Sequence, residues 1–204
     1  GSLRTYVAPG SPLWMLDHRT GRALCWYPEL DGPLPSWERG APLRVLFHWW
    51  GAARGLRLVH AAAVGDERGS VLIVGPGGAG KSTTALAAAM AGLGYLADDY
   101  CLVQPDASPA PQVHCLYSTG KCDARSLSLV PELADRVVCP SSASTIDGDK
   151  SVVSMADRVV QHAPILGVVV PTIVSGPTEV VAVHAMRALR ALARLGRFDA
   201  AYGN

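Results

Sequence analysis

Apolar residues along this chain fall mostly in short alternating or continuous runs, and a few segments carry helical spacing instead. Near the start, runs at 13–16 and 22–27 flank Asp17-His18-Arg19-Thr20-Gly21, which predicts a β-hairpin. Pro28, Pro33 and Pro35 then punctuate a loop that reaches Gly40. From Pro42, suited to the first position of a helix, Leu43, Leu46, Phe47 and Trp50 recur at helical spacing to about Arg54. Trp49 and Trp50 are read as packing this helix onto the body, with stacking on an aromatic ligand as the alternative. Residues 57–64 read as a strand, 65–69 as a turn and 71–74 as a continuous apolar strand.

A glycine-rich stretch follows and opens an alanine-rich helix to about Ala91, stopped by Gly92 and Gly94, after which 95–103 reads as a strand. Beyond a proline-rich loop at 105–111, strands are predicted near 113–117 and at 151–154, 165–174 and 180–184, with a short helix starting at Pro131. A closing helix over 186–195 places Leu189, Leu192 and Leu195 on one face. The change of texture near residue 40 divides the chain into a small β-hairpin region, 1–40, and a core, 41–204.

Composition narrows the class. A length of 204 residues suits one generous domain, and 49% hydrophobic against 17% charged residues supplies a sizeable core and excludes wholesale disorder. The net charge is +1 with no basic block or stripe, which argues against nucleic acid as a partner. No apolar run reaches the roughly 18 residues that span a bilayer, and nothing after Gly1-Ser2, read as a cloning remnant, resembles a signal peptide. The expectation is a soluble, cytoplasmic protein. The five cysteines, Cys25, Cys101, Cys115, Cys122 and Cys139, are odd in number and lack CxxC spacing, so they are read as reduced core thiols rather than a zinc site.

The segment Gly75-Pro76-Gly77-Gly78-Ala79-Gly80-Lys81-Ser82 fits GxxxxGK[ST] without a mismatch and lies between a buried strand and a helix. Glycines allow the backbone N–H groups to turn inward on a phosphate, and the helix start adds free N–H groups and the positive end of its dipole. Lys81 would reach the outer phosphates and the Ser82 hydroxyl would ligate Mg²⁺, with Thr83 completing the turn. The chain is therefore expected to bind a nucleoside triphosphate. No LSGGQ-like or NKxD-like segment accompanies the loop, which weakens the transporter-ATPase and GTPase readings.

The turn at 65–69 is too short for a parallel crossover, so the strand before the loop must form an antiparallel hairpin with 71–74. A turn centred on Glu67 sets His60 opposite Val74, beside the mouth of the phosphate loop. The plainer reading of such a histidine is a satisfied core residue. Asp98 and Asp99, adjacent on a predicted strand, would point to opposite faces, so one aims at the γ-phosphate unless a bulge re-aims the other. The pair suits a division of labour in which one carboxylate accepts a proton and the other holds Mg²⁺ or its water; a turn or capping role is the alternative.

With these residues in place, the stretch resembles the catalytic domain of HPr kinase/phosphorylase. HAAAV at 60–64, GPGGAGKST at 75–83 and GLGYLADD at 92–99 are similar to that family's histidine strand, phosphate loop and acidic motif. The resemblance implies an α/β P-loop fold akin to phosphoenolpyruvate carboxykinase, with a mixed, partly antiparallel sheet and here a small N-terminal β region. It implies that Asp99 is the base taking a proton from a substrate serine, that His60 assists, and that Lys81 and Ser82 hold phosphate and Mg²⁺; the division of labour then leaves Asp98 as the metal-side carboxylate. The family's further Gly-rich signature with an acidic metal ligand has no clear counterpart, and Leu116-Tyr117-Ser118-Thr119-Gly120-Lys121-Cys122-Asp123 stands in its place.

PLRVLFHWW, RGLRLVHAAAVG and LYSTGKCDARSLS resemble more closely a short branch of HPr-kinase-like proteins, some of which phosphorylate the C-terminal serine of a lasso-peptide precursor. There, Lys121 is a candidate phosphate or transition-state cation and Asp123 a metal-proximal carboxylate. Arg125, Lys150 and Arg158 are candidate basic contacts for the acceptor, with a solvated surface charge as the plainer reading of each. The expected function is an ATP- and Mg²⁺-dependent transfer of the γ-phosphoryl group to a serine of a peptide or small protein, with homo-oligomerisation left open. A non-catalytic ATP-sensing partner protein and a small-molecule kinase remain alternatives.

Overall fold

The computed structural model describes residues 2–6, 12–27, 36–141 and 150–193. The predicted loop prolines Pro28, Pro33 and Pro35, and Leu195 of the closing helix, lie outside the described residues. The N-terminal hairpin forms as β2 (Leu13–Asp17) and β3 (Arg22–Trp26), and β1 (Leu3–Tyr6), which its polar alternation concealed, adds to β2 as an antiparallel edge. Asp17 ties the turn through its carboxylate, accepting from Arg19 N–H and the Thr20 hydroxyl. A short helix α1 (Ser36–Gly40) and then α2 (Arg44–Ala52) follow. Helix α2 starts two residues later than the proline predicts, because Leu43 takes the left-handed conformation at its N-cap. Trp49 is buried against Trp14 and Leu16 of the hairpin, so the expected packing role stands for that residue. Trp50 lies at the rim beneath the Arg54 guanidinium, 4.4 Å from its ring centre.

The strand predicted over 57–64 is two strands, β4 (Arg57–Val59) and β5 (Ala62–Asp66), and the one predicted over 95–103 is β7 (Gly94–Ala97) and β8 (Cys101–Gln104). Strand β4 pairs antiparallel with β8 and β5 with β7, in one register: 57 faces 103, 59 faces 101 and 63 faces 97. The two long strands thus part in the middle, and His60-Ala61 lies across the gap from Asp98-Asp99-Tyr100. Each half continues into its own neighbours. Strand β6 (Gly69–Ile73) pairs antiparallel with β5, while β9 (Gln112–His114) pairs with β8. Strand β13 (His162–Val169) then joins the halves, antiparallel to β9 through its start and parallel to β6 through its end. The result is the mixed sheet that the short turn demanded, in the order β4-β8-β9-β13-β6-β5-β7. Ala61, Ala63, Leu72, Val74, Leu96, Cys101, Val113 and Ala163 fill one core from both halves.

The β5–β6 turn is tighter than predicted. Asp66 faces Gly69 across a two-residue loop, and Ala62 faces Ile73. That register carries Ala61, not His60, to the level of Val74, a one-residue correction that would invert the side chain were His60 still in the strand. It has left the strand, which is why it still reaches the site.

Helix α3 (Lys81–Met90) follows the glycine loop and is covered on two sides. Ala85 packs on Ala62, Val64 and Ile73, while Leu86 and Ala89 pack on Tyr95, Cys122, Val153 and Leu133. Alanine suits this placement, since its small side chain lets two layers approach one helix. The second layer is a three-stranded sheet, β10 (Thr119–Cys122), β12 (Ser151–Ser154) and β11 (Val137–Cys139), with β12 in the middle. A helix α4 (Ala124–Leu129) and a 3-10 turn (Pro131–Arg136) bridge β10 to β11. The strand predicted at 180–184 does not form; its valines lack a strand partner among the described residues, and Val180 is fully exposed. The last helix is α5 (Ala185–Ala193). The five cysteines are free, and Cys101 and Cys122 are buried. No helix among the described residues is long and apolar enough to cross a membrane.

Candidate active site

The glycine loop begins where β6 ends, with Val74 N–H held by the Val169 carbonyl of the parallel neighbour. Gly78 (φ 77°) and Gly80 (φ 95°) take left-handed backbone, which the turn needs and other residues resist. Gly80 is the N-cap of α3, so the N–H groups of Lys81, Ser82 and Thr83 have no partner inside the helix. They lie beside the exposed Gly77-Gly78, an arrangement able to accept an anion. Pro76 has no N–H, and its carbonyl accepts from Ala79 N–H. The Lys81 ammonium is buried and folded back onto the Gly75 and Pro76 carbonyls, at 3.0 and 3.2 Å. Burial pulls its pKa below the usual lysine value, against the opposing pull of Asp99 and Asp98. The Thr83 hydroxyl turns away to Ser126 Oγ at 2.8 Å, and Ser126 donates in turn to Asp123. The Thr83 side chain is thus engaged away from the loop, and only its backbone N–H is left for a ligand there.

The two aspartates do not alternate across a strand. They sit in the bend between β7 and β8, which frees both side chains from the period of two and turns both toward the loop–helix junction. Asp98 is 2% exposed, takes the Lys121 backbone N–H on Oδ2 at 2.6 Å, and feels the Ser82 hydroxyl nearby. Its Oδ1 is buried with no hydrogen-bond partner. Burial raises its pKa, and the adjacent Asp99 charge adds to the rise, against the Ser82 and Lys121 interactions. Close packing at Gly120, where a Cβ would meet Leu86 Cδ2 at 2.8 Å, brings β10 near enough for that backbone bond.

Asp99 has the opposite surroundings. His60 Nε2 lies 2.8 Å from Oδ1 and Lys121 Nζ 2.6 Å from Oδ2, so one carboxylate is gripped from two elements. Burial alone would raise its pKa, but the His60 hydrogen bond and the Lys121 charge outweigh burial and hold it well below the usual carboxylate range. The His60 ring stacks on Tyr100 at 5.1 Å, and the Arg44 guanidinium lies 6.0 Å from the other ring centre. Lys121 is steered by Gly40, whose hydrogen stands where a Cβ would collide with the lysine stem.

His60, Lys81, Ser82, Asp98 and Asp99 thus converge, and Lys121 joins them. The other candidates fare differently. Asp123 is the N-cap of α4, its Oδ1 accepting from Ser126 N–H and hydroxyl, both at 2.8 Å. Arg158 donates to the Ala89 carbonyl at the far end of α3, about 14 Å of helix away from the loop. Arg125 is exposed on α4. Lys150 is exposed yet close enough to Lys81 and Asp123 to bear on both their pKa values. Reading the sequence alone missed the involvement of α1: Tyr117 donates to the Pro42 carbonyl at 2.7 Å and Thr119 to the Gly40 carbonyl at 3.5 Å, placing the end of the N-terminal region against the site. The run of glycine and proline at 40–42 was the available signal.

Ser82 and Asp98 fit a magnesium ion. The orphaned Asp98 Oδ1 is a buried hard oxygen lacking a partner, beside a hydroxyl at the phosphate end of the helix. No three His, Cys, Asp or Glu side chains among the described residues form a cage of their own. That suits a cation which takes few protein ligands and completes its shell with phosphate and water.

No family model matches the chain, and no curated protein matches it. Among solved structures, the HPr(Ser) kinase/phosphatase from Coxiella burnetii is similar with a TM-score of 0.37 and 16% identity, over 71% of this chain and 93% of that one. So distant a likeness leaves the chemistry to the residues themselves.

Proposed function

We propose that the protein is an ATP-dependent phosphotransferase that phosphorylates a serine hydroxyl on a peptide or small protein. The observation that carries this reading is the Asp99 carboxylate, held ionised by His60 and Lys121 beside a phosphate-binding loop. A nucleotide-holding module has no need of such a group, whereas transfer needs an acceptor for the hydroxyl proton close to the γ-phosphate.

The loop N–H groups and Lys81 bind the triphosphate, the lysine leaving the Gly75 and Pro76 carbonyls to do so. Ser82 and Asp98 would hold Mg²⁺, which when bound neutralises phosphate charge. Asp99 orients the serine hydroxyl for in-line attack on the γ-phosphorus. As the new O–P bond forms and the bond to the β-phosphate bridging oxygen breaks, the hydroxyl proton passes to Asp99. A carboxylate with so low a pKa is a weak base, so its contribution is chiefly orientation and late proton acceptance, once bonding to phosphorus has acidified the attacking oxygen. His60 fixes one carboxylate oxygen and leaves the other to Lys121, whose charge lies where the transferred group would pass.

The branch that the chain resembles narrows the acceptor to a serine-bearing peptide such as a lasso-peptide precursor. Incubation of serine peptides with ATP and Mg²⁺ followed by mass spectrometry tests the reading. A gain of one phosphate on serine is the expected result, and ATP binding without a phosphopeptide for any serine substrate defeats it.

A further inference from the structure

Arg39 carries a charge for which the described residues supply no counter-ion. Its Nη1 donates at 2.8 Å to the Cys139 thiol sulfur, a weak acceptor, and its Nε is buried with no partner. The carboxylates nearest in the chain and in the site are engaged. Glu38 accepts the Tyr27 hydroxyl at 2.6 Å and Leu43 N–H at 2.9 Å, and Asp99 is held by His60 and Lys121. Among the described residues no carboxylate lies within ion-pair distance of Arg39. Guanidinium groups of this kind are ordinarily satisfied by planar carboxylate or phosphate oxygens.

The position of Arg39 indicates which anion it awaits. Lys121, Val152 and Cys139 are paired side by side across β10, β12 and β11. Helix α1 crosses this face, with Gly40 over Lys121 and Arg39 over Cys139. The order across the site is therefore phosphate loop, Ser82 with Asp98, Asp99 with Lys121, and then Arg39. Two strand spacings, about 10 Å, separate the backbones of Lys121 and Cys139. With a nucleotide on the phosphate-loop side of Asp99, Arg39 would lie on the side from which a hydroxyl arrives.

We propose that Arg39 is the anion seat of the acceptor site and binds a carboxylate carried by the acceptor close to its reacting hydroxyl. The proposal rests on the phosphotransferase reading of the same site and adds a requirement on the acceptor: a negative charge near the serine. That charge has two possible sources with the same chemistry, the chain-terminal carboxylate and an acidic side chain.

Three probes separate them: N-acetyl-Ala-Ser with a free carboxylate, its carboxamide, and N-acetyl-Ser-Glu carboxamide. Binding to the full chain is followed by saturation-transfer NMR, and transfer by phosphoserine formation with ATP and Mg²⁺. One or both anionic probes should exceed the neutral carboxamide about tenfold or more in binding and in kcat/KM. In Arg39→Gln that preference should collapse to within about twofold, and Arg39→Lys, which keeps charge without the fork, should fall between. A preference for the free-carboxylate probe alone assigns the seat to a chain terminus, and a preference for the glutamyl probe assigns it to a side chain. Equal use of all three probes by the unaltered protein overturns the proposal, a comparison that needs no variant to fold. It is also overturned if the preference survives Arg39→Gln, or if that variant's loss falls on the KM for ATP and equally on all probes, which places the guanidinium on the nucleotide. Anion-selective binding that vanishes in Arg39→Gln while no probe is ever phosphorylated upholds the seat and defeats the phosphotransferase reading instead.

Discussion

The two halves of the site are built by different means. The proposed nucleotide half, Gly75 to Thr83, is one contiguous stretch that would act through its backbone N–H groups with the Lys81 and Ser82 side chains, so nine residues in sequence specify it nearly alone. The proposed acceptor half is assembled from four separate places: His60 after β4, Asp98-Asp99 after β7, Lys121 on β10, and Gly40 with Arg39 on α1. Its chemistry resides in side chains whose charges correct one another. The neighbouring carboxylates make the point within three bonds of backbone. Asp98, buried beside Ser82, is pushed up; Asp99, gripped by two partners, is pushed down. Residue type does not set the role here, and surroundings do.

Changes that break the acceptor half while sparing the nucleotide half give the largest separation. Asp99→Asn should lower kcat about a hundred- to ten-thousandfold, with ATP affinity within a factor of a few, read by single-turnover transfer alongside nucleotide titration. Lys81→Ala crosses the divide, since the lysine belongs to the loop yet lies within electrostatic reach of Asp98 and Asp99. Its expected signature is a loss of about tenfold or more in ATP affinity together with slowed transfer, checked by calorimetric titration. Lys121→Met should slow transfer about tenfold to a hundredfold. It should also move the acid limb of the rate profile upward. Asp99 is ionised at unusually low pH because Lys121 and His60 favour its charged form, so removing one cation returns its pKa toward the free value and the rate falls at a higher pH. An unmoved acid limb would show that Lys121 does not act through Asp99.

The smallest effect is on stability, and its sign is opposite for the two carboxylates. Asp98→Asn should raise the stability of the nucleotide-free protein by roughly 1–2 kcal/mol while weakening Mg²⁺-dependent nucleotide binding. A carboxyl whose folded pKa is raised favours folding below its unfolded value and loses that contribution as pH rises through the folded one. The gain from Asp98→Asn should therefore grow from acid toward neutral pH in thermal melts. Asp99→Asn should destabilise instead, by about 1–3 kcal/mol, because Lys121 is left partly buried without its partner. That penalty should fade as pH falls through the depressed Asp99 pKa.

The same division explains how much could be read in advance. The hairpin before the loop, the mixed sheet and the loop–helix junction follow from local signals: a turn too short for a crossover, glycines, and an alanine-rich helix packed on both sides. The breaks at His60-Ala61 and Asp98–Tyr100 were hidden, since apolar runs with strand propensity flank each of them closely on both sides. A strand that changes neighbours midway leaves no mark in its own period. The same breaks let both aspartates face the site, which a continuous strand forbids. Lys121 could be named as a candidate phosphate or transition-state cation, but not as the partner of Asp99. Its partner lies 22 residues away and its alignment depends on Gly40, 81 positions earlier, so no window of sequence contains the arrangement.

The most direct test of the central claim is intact-mass analysis of a serine peptide after incubation with ATP, Mg²⁺ and either the unaltered protein or Asp99→Asn. The account predicts one added phosphate on serine with the former and none on the same timescale with the latter, although both bind ATP. Equal phosphorylation by the two proteins, or nucleotide binding by both with no phosphoserine from either, contradicts it.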